Sequence, residues 1–379
     1  MIKKDHAMPS TMKICVIGGS NSLMADGYVR PAIEMLKNRA RCDIELANVS
    51  IGGTFSHFGI WQLLSKRPHL DADVIVVEYV LNDAELSAFR SVLNWSKTYE
   101  GLVRKLRTEA PRAQIICPLL VNRRMASKPK LSSLVSGAVM INMRYGIETI
   151  DVNQEIIQRC PMGSPRDAEG WYRDLSHYAK PFQIMIGEML ASRIAAGAGR
   201  SCARDTLPVN LDHFAEARSA VQEGIFDNIV PPEFERKSFQ NRLVEETAAL
   251  VPEGKSFGFK LTGEIVALII VSTRQDGILV YHHADKSVNV GIYRKAFAKS
   301  RFDFLMNVIV PEQYFFGKCA ATTEPTVVKV DVLNARAIQE LDSTNVVTRP
   351  SARMPPNDTE SEYSFALVDI VYAGEIAPI

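Results

Sequence analysis

From residue 13 to residue 195 the sequence alternates short β-branched runs with segments whose apolar residues recur at helical spacing. No other feature restricts the fold as much, because strands separated by helices assemble into a parallel sheet wound on both faces. The strand runs are KICVI, DIELANV, VIVVEYV, QIICPLL and ETIDV. Helical spacing begins near Tyr28, continues through Trp95, Tyr99, Leu102, Val103 and Leu106, and returns at Phe182, Met185, Ile186 and Met189. The middle strands are almost wholly apolar, as a strand must be when helices cover both of its faces. The predicted fold class is therefore α/β, a doubly wound parallel sheet, with chemistry expected at the carboxyl ends of its strands.

The texture changes after AAGAGRSCARDTLP, a small and polar stretch that reads as a linker. A helix is expected from about Asp212. Beyond it, EIVALIIVST, GILVYHH, VNVGIYR, FDFLMNVIV, TVVKVDVLN and SFALVDIVYAG are strands at short spacing. They predict a smaller, mainly β domain, an antiparallel sandwich of the jelly-roll kind. RPSARMPPNDTESE reads as a loop between the last two strands. The expected division is a first domain at 12–198, a linker at 199–212 and a β-domain at 213–379. A chain of 379 residues is long enough for two cores.

Composition excludes several functions. With 44 basic and 43 acidic residues the chain has no net field to attract a polyanion, so nucleic acid is not an expected partner. No segment approaches the roughly 20 consecutive apolar residues of a membrane span. The start, MIKKDHAMPSTMK, has no apolar run ahead of the first strand, so no signal peptide is expected and the chain reads as cytoplasmic. The cysteines, Cys15, Cys42, Cys117, Cys160, Cys202 and Cys319, stand singly with no CxxC pair, which argues for reduced, packed thiols and against zinc or a disulfide framework. No metal or cofactor is expected.

Four short elements carry chemistry. Gly18-Gly19-Ser20-Asn21 follows the first strand, where glycines permit a sharp turn and place the Ser20 hydroxyl at the reactive end of the sheet. Taken alone, the same turn also suits phosphate binding or a plain connection. Ser50-Ile51-Gly52-Gly53 follows the second strand and Leu81-Asn82-Asp83 the third. The N–H of Gly53, the Asn82 amide and the N–H of Ser20 converge as donors for a developing oxyanion, each worth roughly 3 kcal/mol in a transition state. Asp174-Leu175-Ser176-His177 precedes the last helix of the first domain. At that spacing the carboxylate can hold Nδ1 of the ring while Nε2 faces the serine. The plainer reading of His177 is a packed residue at a helix start.

In this order the elements resemble the SGNH (GDSL-like) hydrolases, whose blocks are a GDS turn, a glycine, an asparagine in GxND and a DxxH. The resemblance spans about residues 12–195. It implies a flavodoxin-like sheet, a Ser20, His177 and Asp174 triad, an oxyanion hole of Ser20, Gly53 and Asn82, and no metal. The chain departs from the family pattern at Gly19, where an aspartate is usual, and at Val80-Leu81, where a glycine often stands before the asparagine.

Asn21, Arg123 and Arg124 are candidate substrate contacts, although Asn122-Arg123-Arg124 also reads as a solvated basic loop leading into a long MASKPKLSSLVSGA loop. Tyr281-His282-His283-Ala284-Asp285 has metal-capable side chains with no third ligand at a suitable spacing. Tyr314, Phe315 and Phe316 suit either a sugar-stacking platform or a core. The expected activity is hydrolysis of an acyl ester, with an O-acetylated carbohydrate as substrate and a small-molecule or glycan ester as the expected partner. The alternatives are an O-acyltransferase of polysaccharide assembly using the same residues, and a glycan-binding protein whose hydrolase domain has decayed.

Overall fold

The computed structural model describes residues 11–40, 42–87, 92–126, 133–159, 169–197, 207–298, 302–314, 321–348, 352–356 and 362–379. Cys160, Cys202, Cys319, Phe315, Phe316, residues 127–132, residues 198–206 and most of the 349–362 loop lie outside that set. The chain forms two compact units. One comprises Met1–Ala84 and Trp95–Ala215, the other Glu85–Asn94 and Glu216–Ile379.

The first unit is a parallel sheet of five strands: β1 (Thr11–Gly18), β2 (Asp43–Asn48), β3 (Val74–Glu78), β4 (Gln114–Leu119) and β5 (Glu148–Asp151). Their order is β2-β1-β3-β4-β5, the flavodoxin-like arrangement. Between them run α1 (Ser20–Leu23), α2 (Val29–Ala40), α3 (Ser56–Ser65), α4 (Val80–Ser87), α5 (Val92–Glu109), α6 (Arg123–Ala126), α7 (Ser133–Arg144), α8 (Val152–Arg159) and α9 (Lys180–Gly197). Right-handed crossovers reverse the winding at β1, which puts α2 and α9 on one face and α3, α5 and α7 on the other. Small residues set these contacts. A Cβ on Gly187 of α9 would lie 2.8 Å from the Tyr28 carbonyl ahead of α2, and one on Gly59 of α3 would lie 2.7 Å from the Tyr79 ring. Strand β3 is buried at all five positions, as a central parallel strand should be.

Three local expectations are corrected. The third strand stops at Glu78, because the Asp83 N–H donates to the Tyr79 carbonyl at 2.8 Å and turns the chain into α4. Asn82 therefore lies in the first turn of a helix. The second half of the loop expected after Arg124 is helical from Ser133 onward, its buried face made by Leu134, Val135 and Ala138. No α-helix starts at Asp212. Its carboxylate pairs with Lys97 of α5 at 2.8 Å, and only a 3-10 turn, Phe214–Glu216, follows. Just upstream, the N–H groups of Val209 and Asn210 donate to the buried Glu100 carboxylate at 2.6 and 2.7 Å, which ties this stretch to α5.

The second unit is a mixed sheet of ten strands: β6 (Arg218–Ser219), β7 (Arg236–Gln240), β8 (Glu245–Pro252), β9 (Ser256–Thr273), β10 (Ile278–His283), β11 (Lys286–Gly291), β12 (Phe304–Ile309), β13 (Thr322–Val332), β14 (Val346–Thr348) and β15 (Ser364–Pro378). All pairs are antiparallel except β11 with β14. Strand β9 changes partner along its length, pairing its first half with β13 and its second half with β12, while β15 follows its other edge. Phe257, Phe259, Leu268, Ile270, Phe365, Leu367 and Tyr314 share its core. Tyr314 is thus a packing residue. His282 meets Asp331 at 2.7 Å and His283 is buried. Among the described residues no group of three or more His, Cys, Asp or Glu is placed to hold a metal, and no described helix is long and apolar enough to cross a membrane.

Candidate active site

The sheet order makes β1 the point where the winding reverses, and the turn leaving β1 carries Ser20. Gly19 precedes α1 at φ −94° and ψ −158°, and Ser20 is the first residue of that helix. Its N–H therefore has no intrahelical acceptor. The Gly19 N–H is held from beneath by Glu78, donating to its carbonyl at 3.1 Å and to its carboxyl Oε2 at 3.3 Å.

His177 arrives from the segment before α9. Ser20 Oγ lies 2.7 Å from His177 Nε2. The other ring nitrogen lies 2.9 and 2.8 Å from the two carboxyl oxygens of Asp174. Asp174 Oδ1 also accepts the N–H groups of Ser176 and His177, each at 2.9 Å, so the DLSH turn is closed by the same carboxylate that orients the ring. Partial burial acts to raise the Asp174 pKa, but the hydrogen bonds from Ser176 and His177 outweigh it and hold the carboxyl below its ordinary value.

The turn is fastened at both ends. Tyr172 and Tyr178 pair across it with ring centroids 4.4 Å apart, and their hydroxyls donate to the Val121 carbonyl at 2.7 and 3.2 Å. The Arg173 N–H donates to the His177 carbonyl at 2.8 Å, and the Arg123 N–H donates to that of Leu175 at 2.9 Å. It is thus the backbone of Arg123 that joins this segment. The Arg123 side chain is half-buried and that of Arg124 is exposed.

The loop after β2 prolongs the parallel pairing, with Val49 and Ile51 donating to Val16 and Gly18 at 3.0 Å. Asn48 ties it to α1 by donating to the Ser22 carbonyl at 2.8 Å. A Cβ on Gly52 would stand 3.4 Å from Ser20 Cβ, so Gly52 borders the serine directly. Gly53 follows with φ +72°, a conformation that favours glycine. Asn82 Nδ2 donates one hydrogen to the Thr54 carbonyl at 2.8 Å, and it lies 2.4 Å from where a Cβ on Gly19 would be. Its second N–H hydrogen is left for another acceptor.

Asn21, a candidate substrate contact, is only 1% exposed. Its amide donates to the Ser176 carbonyl at 3.0 Å and accepts from Gln183 Nε2 at 2.9 Å.

Sequence reasoning missed two buried carboxyls. Glu78 accepts from Ser22 Oγ at 3.0 Å, and that hydroxyl also meets the Tyr28 hydroxyl at 2.7 Å. Burial pushes the Glu78 pKa up to about 8. Asp83 accepts from the Ser56 N–H at 2.9 Å and from Trp95 Nε1 at 2.8 Å, and burial pushes it up to about 7. It thereby fixes the start of α3, just after the Gly53 loop. The signal for both was an acidic residue ending or following an otherwise apolar strand run.

Over nearly its whole length the chain has the fold of a two-domain esterase active on acetylated mannans. The TM-score is 0.66 at 14% identity, covering 96% of this chain and 92% of that one. A second structure of that esterase, co-crystallised with mannopentaose, gives 0.65 at 14% identity over 96% and 91%. A GDSL-like lipase from Parabacteroides merdae covers 49% of this chain and 96% of its own at 17% identity, with a TM-score of 0.39. At such identities the likeness is one of fold. No protein-family model and no curated protein sequence matches the chain.

Proposed function

We propose that the protein is a serine esterase of the SGNH type, with Ser20 as nucleophile, His177 as base and Asp174 as its orienter. One observation carries this reading: Ser20 Oγ is 2.7 Å from His177 Nε2, and the opposite ring nitrogen is 2.8 Å from Asp174. Nucleophile, base and orienter thus form one hydrogen-bonded chain at the carboxyl end of the sheet. In this mechanism His177 takes the Ser20 proton as Oγ attacks the ester carbonyl. The Ser20 N–H, the free N–H of Asn82 and the Gly53 loop stabilise the oxyanion. The imidazolium then protonates the departing alcohol, and water releases the acid from Ser20 by the same route in reverse. Asp174 stays ionised throughout, in keeping with its lowered pKa.

The favoured substrate is an O-acetylated polysaccharide. The support is the two-domain fold shared, over 96% of this chain, with an esterase active on acetylated mannans. The test is hydrolysis of p-nitrophenyl acetate and fluorophosphonate labelling of wild type and Ser20→Ala, followed by acetate release from acetylated mannan and xylan. Turnover and labelling in wild type alone support the reading. A wild type that neither turns over nor is labelled overturns it.

A further inference from the structure

Asn21 follows the nucleophile directly, and its carboxamide brackets the base. Nδ2 donates to the carbonyl of Ser176 at 3.0 Å, and Oδ1 accepts from the N–H of Tyr178 at 3.5 Å. These are the polar groups on the two sides of His177, held as a neighbouring strand would hold them. Gln183 of α9 completes the arrangement. Its Nε2 donates to Asn21 Oδ1 at 2.9 Å and to the Tyr178 carbonyl at 3.5 Å. That donor fixes which end of the Asn21 amide is oxygen, and so aims Nδ2 at Ser176. Both side chains are 1% exposed.

We infer that Asn21 and Gln183 are positioning residues that set the distance between Ser20 and His177. The inference rests on the Ser20, His177 and Asp174 reading given above. Two further observations support it. Among the described residues, the other side-chain link from this turn to the segment after Ser20 is Arg173, which donates to Met24 Sδ at 2.9 Å and meets Asp26 at 3.1 Å, the Arg173 and Asp26 side chains both being about half exposed. Solvent screens such a pair, so it holds the segment weakly. Gln183 Oε1, in addition, is buried without a hydrogen-bond partner among the described residues. A buried acceptor left unsatisfied costs stability, and an apolar side chain would fill the same space without that cost. The Gln183 N–H group therefore serves the alignment of Asn21 at the expense of the fold, as groups at functional sites do.

The experiment compares wild type, Asn21→Leu, Gln183→Met and the double variant with p-nitrophenyl acetate. Active sites are titrated with a fluorophosphonate and Tm is measured in parallel. Misplacing a catalytic group by about 1 Å costs on the order of a hundredfold, so kcat per titrated site should fall by about that factor in Asn21→Leu. Gln183→Met should lose about tenfold in kcat, with KM within about twofold and Tm no lower than wild type. The double variant should be no slower than Asn21→Leu, because the two residues act as one unit. A folded Gln183→Met protein with wild-type kcat per titrated site overturns the proposal. So does a loss confined to the titratable fraction, or a Gln183→Met chain that no longer folds. Should Asn21→Leu fail to fold, Gln183→Met decides alone. An active wild type with an inactive Ser20→Ala and an unaffected Gln183→Met defeats the positioning role while leaving the esterase reading intact. A wild type inert to ester and probe defeats the esterase reading itself.

Discussion

Gly19 and Asn82 occupy one another's space: a Cβ on Gly19 would sit 2.4 Å from Asn82 Nδ2 and 3.0 Å from its Cγ. Since Gly19 has φ −94°, any residue can adopt its backbone, and the nearest obstacle to a side chain there is the amide. Where the SGNH pattern has aspartate this chain has glycine, and the Asn82 amide occupies the space that a side chain there would take. Under the proposed mechanism, Gly19→Asp, although it brings in the residue of the SGNH pattern, should displace Asn82 and lower kcat by roughly 10²–10³-fold, the cost of one oxyanion donor. Asn82→Ala should lose a similar factor, and the double variant should lose little more. Steady-state kinetics of the three variants checks this, and a Gly19→Asp enzyme as fast as wild type would remove Asn82 from the mechanism.

Glu78 lies beneath the same turn with its pKa pushed up to about 8 by burial, from an ordinary 4.5. Between these two pH values the folded protein binds a proton that the unfolded chain has released. Stability therefore falls as pH rises through that window, by up to about 1.4 kcal/mol per pH unit for one such group. Asp83, raised to about 7, adds a slope of the same sign below that pH. Glu78→Gln stays neutral at every pH. It should therefore flatten the decline of Tm between pH 5 and pH 8 and gain on wild type at the alkaline end. Thermal melts of the two proteins across that range decide the matter, and parallel curves would show that Glu78 ionises normally.

The parallel sheet was legible because its middle strands are almost wholly apolar while its helices keep a 3.6-residue period, two patterns that a sequence displays directly. The β-rich second unit was legible for the same reason, from strand runs at short spacing. The Asp212 helix was misread because an acidic start preceding PheAlaGluAla looks like a capped helix, whereas Lys97 and Glu100 of another element claim that stretch. Ser20, His177 and Asp174 were singled out on spacing, and the structure brings them within hydrogen-bonding distance. Asn21 was chosen for its neighbourhood alone. Its partners, Ser176 and Gln183, lie 155 and 162 residues away, and nothing local announces them. Glu78 stayed unnoticed because its burial comes from packing around β3.

Gly263 and Gly374 stand directly opposite each other on β9 and β15, with φ +123° and +111°. A Cβ on Gly263 would lie 2.0 Å from the Ala373 carbonyl, and one on Gly374 would lie 2.1 Å from that of Thr262. Both the backbone conformation and the space therefore require glycine where the two long strands run past each other. Gly263→Ala should destabilise the second unit by more than the roughly 1 kcal/mol of an ordinary Gly→Ala change. Denaturant unfolding followed by the near-ultraviolet signal would register it. A variant as stable as wild type would mean that the two strands can part without loss.

Asp174 Oδ1 receives two backbone N–H groups, and both of its oxygens face His177 Nδ1. In Asp174→Asn the amide oxygen can retain the two backbone donors and so keep the turn. The NH₂ group then faces the imidazole, and two donors cannot share that contact. The ring answers by moving its proton from Nδ1 to Nε2, where it can no longer take the proton of Ser20. kcat should accordingly fall by about 10⁴-fold with little change in Tm. Asp174→Ala, which loses the turn but imposes no tautomer, should be no slower than Asp174→Asn. The comparison separates the two duties of the carboxylate. If Asp174→Asn retained activity within about tenfold of wild type, Asp174 would be a turn residue and the orientation of His177 would fall to the backbone bonds around it.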